Sequence, residues 1–195
     1  MKIISVDLQR EFTTPKGACY VPGKAVEFIL ETLIPHLRDR GIKLAEIISD
    51  YRQPRPGDRR DCLYPGTEMY LSEIPEDVKD RPVWVKCMNS PVWVRENIGV
   101  AGAPPGPPYP DPEAFDHWLE RVVGEKDVLL IGLSLDRCVL ATAQELTYRG
   151  YKVFILPEGT DPSSGDPREK EYLLTHPPII HWATPLKWER ARRLL

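Results

Sequence analysis

An acid, an ammonium and a thiol stand at three distant points of this sequence: Asp7, Lys86 and Cys138. Together such groups form a nucleophilic set. A thiolate attacks a carbonyl carbon, a carboxylate takes the thiol proton and returns it to a leaving group, and an ammonium stabilises the anion. Each residue also has an ordinary reading. An aspartate after an apolar run serves turns and caps, a lone lysine is mostly solvated, and a cysteine near a helix start is often a small buried hydrophobe. The chemical reading holds only if the fold brings the three together.

The elements around them predict that it does. Lys2–Asp7 (KIISVD) is a compact apolar run ending in the acid, the pattern of a buried first strand. Leu44–Ser49 (LAEIIS) reads as the second strand, and Val83–Lys86 (VWVK) as a third that ends on the lysine. Val128–Ile131 is the fourth, closed by Gly132. Leu135–Arg149 then has helical spacing without proline or glycine, Gly150 stops it, and Lys152–Leu156 is the fifth strand. This βαβ unit, with its right-handed crossover, puts Cys138 where strand gives way to helix. Ile179–Trp182 is predicted as the sixth strand.

Helical spacing covers Lys24–Arg40, where Pro35 is expected to kink or shorten the helix. It also covers Asp111–Val123, with Asp111 as cap and Pro112 in the first turn. Leu186–Leu195 reads as a short basic terminal helix. The predicted fold class is α/β: a three-layer α/β/α arrangement around a doubly wound, six-stranded, mainly parallel sheet. Asp7, Lys86 and Cys138 then share the carboxyl edge of that sheet, where such folds bind ligands. Lys86 and the helix N-terminus are expected to favour the Cys138 thiolate.

Bulk properties narrow the classes. The chain has 195 residues, which suits one domain over 1–195. A hydrophobic share of 42% and a net charge of −3 suit a globular protein with no call for nucleic acid. No apolar run approaches the roughly 18 residues that span a bilayer. The N-terminus lacks the apolar region of a secretory signal, so a cytoplasmic location and no membrane partner are expected. Four cysteines without a CxxC pair are expected to be free thiols. Of 21 prolines, six fall in Pro104–Pro112, a stiff surface excursion around 103–112. Tyr51–Gly66 is a long basic loop carrying Arg52, Arg55, Arg59 and Arg60, of the kind that is usually functional or mobile.

Three segments carry a resemblance. VDLQREF at Val6–Phe12, VK at Val85–Lys86, and GLSLDRCVLATAQELTYRGYKV at Gly132–Val153 are similar to the isochorismatase-like cysteine hydrolases. That family includes nicotinamidases and N-carbamoylsarcosine amidohydrolase-like enzymes. The resemblance implies that Asp7, Lys86 and Cys138 are a catalytic triad. It implies a cis peptide at Leu133–Ser134, an oxyanion hole from backbone N–H groups near Ser134 and Cys138, and a pocket lined by Gln9 and Phe12. It also implies a small-molecule substrate and a homo-oligomer, dimer or tetramer. Trp93, beside Trp84 near Lys86, is a further candidate for the pocket wall, with core packing as the alternative.

One departure is informative. Nicotinamidases carry a metal-binding Asp-x-His…His segment after the second strand. Here Asp50 matches the acid, but Arg52 stands where the first histidine would be. Arginine is not a metal ligand, so no metal and no cofactor are expected, and nicotinamide is disfavoured as substrate. Arg52 could instead grip a substrate carboxylate, the alternative being a solvated loop arginine. The resulting reading is a metal-independent cysteine hydrolase that cleaves the C–N bond of a small amide, ureide or carbamoyl substrate through a thioester. The alternatives are a non-hydrolytic small-molecule-binding or thiol-sensing protein on the same fold, and an isochorismate-type vinyl ether hydrolase using Asp7 as acid.

Overall fold

Eight strands form in the computed structural model, which describes residues 1–52 and 62–195. They are β1 (Lys2–Val6), β2 (Ala45–Ser49), β3 (Trp84–Lys86), β4 (Trp93–Val94), β5 (Tyr109–Pro110), β6 (Asp127–Leu133), β7 (Lys152–Asp161) and β8 (Thr184–Pro185). Six make one sheet in the order β3-β2-β1-β6-β7-β8, and every pairing in it is parallel. β4 and β5 form a small antiparallel ribbon to one side, where the proline-rich segment passes.

The strand alternation sorts the core into two layers. Ile3 of β1 and Leu129 and Ile131 of β6 face Ile29, Leu33 and Leu37 of the 25–40 helix. Ile4, Val6, Val128 and Leu130 point the other way, onto Phe115, Trp118, Leu119 and Leu146. A period of two on the strands and of 3.6 on the helices thus gives helices on both faces of the sheet. The chain winds outward through β2 and β3, then restarts at β6 on the opposite side of β1. That reversal puts the ligand crevice beyond the ends of β1 and β6.

Those two ends touch through a glycine. Gly132 has φ +120°, and a Cβ on it would lie 2.0 Å from the Val6 carbonyl oxygen. Only glycine lets β6 press so closely on β1 where β1 hands over to Asp7 and β6 leads on toward Cys138. Asp7, the next residue of the first chain segment, itself has φ +54°. It leaves the strand direction at once, while its N–H still donates to Ile47 O at 2.9 Å.

Several predicted elements need correction. Pro35 does not end its helix. A π-helical turn over Ile29–Leu33 precedes it, and the helix runs on to Arg40 and closes at Gly41. The wider turn accommodates a residue without an N–H. Ile179–Trp182 is a helix, not the sixth strand. Ile179 is buried and Ile180 and His181 are exposed, a spacing that a four-residue apolar run cannot reveal. The sixth strand is the two-residue β8, paired with Phe154 and Ile155. Pro167–Thr175 is a further helix, capped by Asp166, whose side chain accepts from Arg168 N. The cap expected at Asp111 is present, accepting from Ala114 N with Pro112 in the first turn. The terminal helix is limited to Trp188–Ala191. Arg55, Arg59 and Arg60 lie outside the described residues. Among the described residues no helix is long and apolar enough to cross a membrane.

Candidate active site

Three strand ends supply a buried polar cluster. Asp7 follows β1, Ser49 ends β2, and Lys86 ends β3; all three are fully buried. The Lys86 ammonium lies 2.8 Å from Asp7 Oδ2, 2.7 Å from Ser49 Oγ, 2.9 Å from the Tyr51 hydroxyl and 3.1 Å from Met88 O. Ser49 Oγ in turn donates to Asp7 Oδ1 at 2.8 Å. The Tyr51 hydroxyl is 3.3 Å from Cys138 Sγ, and the thiol also approaches Asn89 Oδ1 at 3.6 Å. The acid, ammonium and thiol singled out in the sequence are therefore gathered at one edge. Ser49 and Tyr51 join them.

Cys138 sits in the first turn of the 135–148 helix, which opens with a π-helical turn over Leu135–Val139. The N–H groups of Arg137 and Val139 both donate to Ser134 O at 3.1 Å. The Leu133–Ser134 peptide bond that leads into this turn is cis.

Electrostatics overturn one expectation. Burial pushes the Cys138 thiol up to about 11. Lys86 pulls it down and the Asp7 carboxylate pushes back, so burial decides the result. Burial thus favours the neutral thiol over the thiolate that a lysine and a helix N-terminus alone would favour. Burial also acts to discharge Lys86, but the Asp7 carboxylate leads the opposing influences, and the ammonium is held above its usual range. Burial raises Tyr51 well above its ordinary value, so it remains a neutral hydroxyl.

Labelling can check this. The rate at which iodoacetamide modifies the Cys138-containing peptide should rise about tenfold per pH unit between about pH 7 and about pH 10, because thiolate is the reacting form. A plateau near the ordinary thiol value would show that Lys86, not burial, sets the ionisation. The stability consequence has the same sign. The folded state holds this proton more tightly than the unfolded chain, so stability falls as pH rises from the ordinary thiol value of 9.0 through about 11.

A cavity of about 410 Å³ opens over the thiol, with Phe12, Cys19, Tyr51, Asn89, Ser134 and Cys138 in its wall. Phe12 lines the cavity, as the resemblance implies, and Ser134 also lies in its wall. Gln9 is not in the wall. It is fully buried, its Nε2 donates to Ser49 O and Tyr70 O, and its Oε1 accepts from Ser49 N. Trp93 packs against the core from the β4–β5 ribbon rather than lining the cavity. Trp84 is likewise packed on Phe115 and Trp118.

Arg52 is corrected most clearly. It is 4% exposed, so it is not a solvated loop arginine. Its Nε and one terminal nitrogen grip both oxygens of Asp50, at 2.9 and 2.7 Å. Its remaining donors go to the carbonyls of Asn97, Val100 and Ala103. All five N–H groups are spent, and none is left for a substrate carboxylate. Asp50 also accepts from Gly99 N at 2.9 Å. The metal that the fold family implies at Asp50 does not fit here, because a guanidinium occupies the carboxylate and, among the described residues, nothing replaces the histidines. Arg137, largely exposed beside Asp136, brings a cation to the cavity instead.

Tyr51, Ser49 and Arg137 are neighbours of this cluster and cavity that the sequence does not single out. Ser49 carries a signal all the same, being the last residue of a predicted strand, as Lys86 is.

No family model matches the sequence, and no curated protein matches it. Solved structures do match the fold. An isochorismatase family protein from Desulfovibrio vulgaris aligns at TM-score 0.71 and 16% identity, covering 99% of this chain and 96% of that one. N-carbamoylsarcosine amidase from Thermoplasma acidophilum aligns at TM-score 0.63 and 22% identity, covering 96% of each chain. This is the isochorismatase-like fold. A pyrazinamidase from Pyrococcus horikoshii, solved in complex with zinc, shares it at TM-score 0.66 and 19% identity, covering 96% of this chain and 98% of that one. On the isochorismatase-like frame, this chain sets a guanidinium on Asp50.

Proposed function

We propose that the protein is a cysteine hydrolase that cleaves the C–N bond of a small amide, ureide or carbamoyl compound through a thioester on Cys138. The observation that carries this reading is the contact chain from Asp7 through Lys86 and Tyr51 to Cys138, buried below an open cavity. Cys138 Sγ attacks the substrate carbonyl carbon as its proton passes to Asp7. Backbone N–H groups near Ser134 and Cys138 receive the developing oxyanion. The C–N bond breaks, and Asp7 hands the proton to the departing amine or ammonia. Water, deprotonated by Asp7, then cleaves the thioester and restores the thiol. Lys86 keeps its charge throughout and holds Asp7 in place. The triad chemistry needs no metal at Asp50. Arg137 at the cavity gives substrates with a carboxylate or another anionic group an electrostatic advantage.

A thiol held neutral is slow to oxidise, which weighs against a thiol sensor. Rapid-quench mass spectrometry of the intact protein with a panel of small amides, ureides and carbamoyl compounds tests the proposal. A transient acyl adduct on the Cys138 peptide, together with released amine, is the expected result. Turnover that survives complete alkylation of Cys138 would overturn it and favour vinyl ether hydrolysis.

A further inference from the structure

A second set of soft donors lies apart from the triad. One ligand atom each from Glu11, Cys19 and Cys62 falls within 4.8 Å of the others. Three separate segments meet there. Glu11 belongs to the single helical turn Arg10–Thr13 after β1. Cys19 comes from the loop that folds back over that turn, and its N–H donates to Glu11 Oε1 at 3.1 Å. Cys62 returns along the segment after β2, where its N–H donates to Tyr51 O at 3.4 Å. The wrapping is tight. A Cβ on Gly17 would lie 1.9 Å from the Glu11 carbonyl oxygen.

Glu11 is the part that needs an explanation. It is 4% exposed, and no ion pair among the described residues includes it. Its neighbour Arg10 turns instead to Glu68 and Glu73. The described residues offer this carboxylate no cation, and the two thiols beside it do not offset the cost of burying it. A divalent ion would. The spacing also suits one. Two thiolates on a tetrahedral ion at about 2.3 Å each lie about 3.8 Å apart, and the two sulfurs here are 3.9 Å apart. A disulfide would require them at about 2.05 Å. Thiolate donors select zinc-like ions over magnesium and calcium.

We propose that Glu11, Cys19 and Cys62 bind one zinc-class divalent cation, with a water from the cavity as fourth ligand. Binding converts both thiols to thiolates and releases two protons for each ion taken up. The site shares no residue with Asp50 and Arg52, so it is separate from the position at which the fold family implies a metal. Cys19 lines the same cavity as Cys138, so the ion fastens the cavity wall to the segment carrying Cys62.

Cobalt titration of the reduced full-length protein tests this. The expected result is about one Co²⁺ bound per chain, with sulfur-to-cobalt charge-transfer absorption and the visible bands of a four-coordinate ion. Cys19→Ser and Cys62→Ser should each remove about half of the charge-transfer intensity and weaken binding about 100-fold, Glu11→Gln should weaken it about tenfold, and Cys138→Ser should leave the spectrum unchanged. X-ray absorption at the zinc edge of the zinc-loaded wild-type protein should count two sulfur neighbours, a reading that needs no variant to fold. Failure to bind cobalt stoichiometrically, a spectrum indifferent to Cys19 and Cys62, or a Cys19–Cys62 disulfide in the protein as isolated would overturn the proposal.

Discussion

On the proposed mechanism, replacing Cys138 by alanine should remove turnover by about five orders of magnitude or more and leave the fold in place. The expected loss is large because, in the proposed route, the sulfur forms the bond that defines the pathway, and no neighbour can replace it. Tyr51 is held neutral, Ser49 Oγ is engaged by Asp7 and Lys86, and Asn89 carries no nucleophile. The stability change is small because cysteine to alanine removes one atom beside an open cavity. The expected cost is on the order of 1 kcal/mol, read as a shift of a few degrees in the thermal transition. Steady-state rates on any substrate found by the adduct screen, with circular dichroism alongside, make the measurement. A variant that retains even a few per cent of wild-type turnover would exclude a thioester route.

The second large effect falls on stability as well as activity. Lys86 and Asp7 are both fully buried and joined at 2.8 Å. Removing one charge strands the other. Lys86→Met and Asp7→Asn should each lower unfolding free energy by about 3–5 kcal/mol and abolish turnover. The double variant leaves a neutral amide beside an apolar side chain of similar length. It should regain most of the lost stability, to within about 1–2 kcal/mol of wild type, without regaining activity. Chemical denaturation of the four proteins supplies the cycle. Simple additivity of the two single losses would show that the pair is not coupled and that Ser49, Tyr51 and Met88 satisfy the ammonium unaided.

Much of the site is legible in the sequence because strand ends announce themselves. KIISVD and VWVK each close an apolar run on a charged residue, and the βαβ unit around Gly132 fixes the place of Cys138. Parallel strands then guarantee that the three residues share an edge. What stays hidden depends on partners distant in sequence. Arg52 reads as one of several loop arginines because the carbonyls of Asn97, Val100 and Ala103 cannot be assigned to it without the fold. The thiol's ionisation runs against expectation because the lysine is visible in the sequence and the depth of burial is not. Resemblance puts Gln9 in the cavity, whereas its hydrogen bonds run along the sheet. β8 is too short to carry any periodic signal. The helix at Pro167–Thr175 is a different kind of miss, since Asp166–Pro167 repeats the cap signature recognised at Asp111–Pro112.

Gln9 acts as a carpenter's splice at the edge of the site. β1 abandons the ladder at Asp7, two residues before the glutamine. Beyond that point a backbone would normally go on exchanging an N–H and a C=O with β2. The side-chain amide of Gln9 does this instead, accepting from Ser49 N at 2.7 Å and donating to Ser49 O at 3.0 Å. It is a counterfeit peptide group, a rung without a rail. The strand gap stays spanned after the main chain has departed, and Asp7 can turn out of the sheet while Ser49 remains in register beneath it. A glutamate of the same size could accept from Ser49 N but would set a carboxylate oxygen against its carbonyl. The amide, with one donor and one acceptor at fixed spacing, is the functional group that reproduces the missing rung.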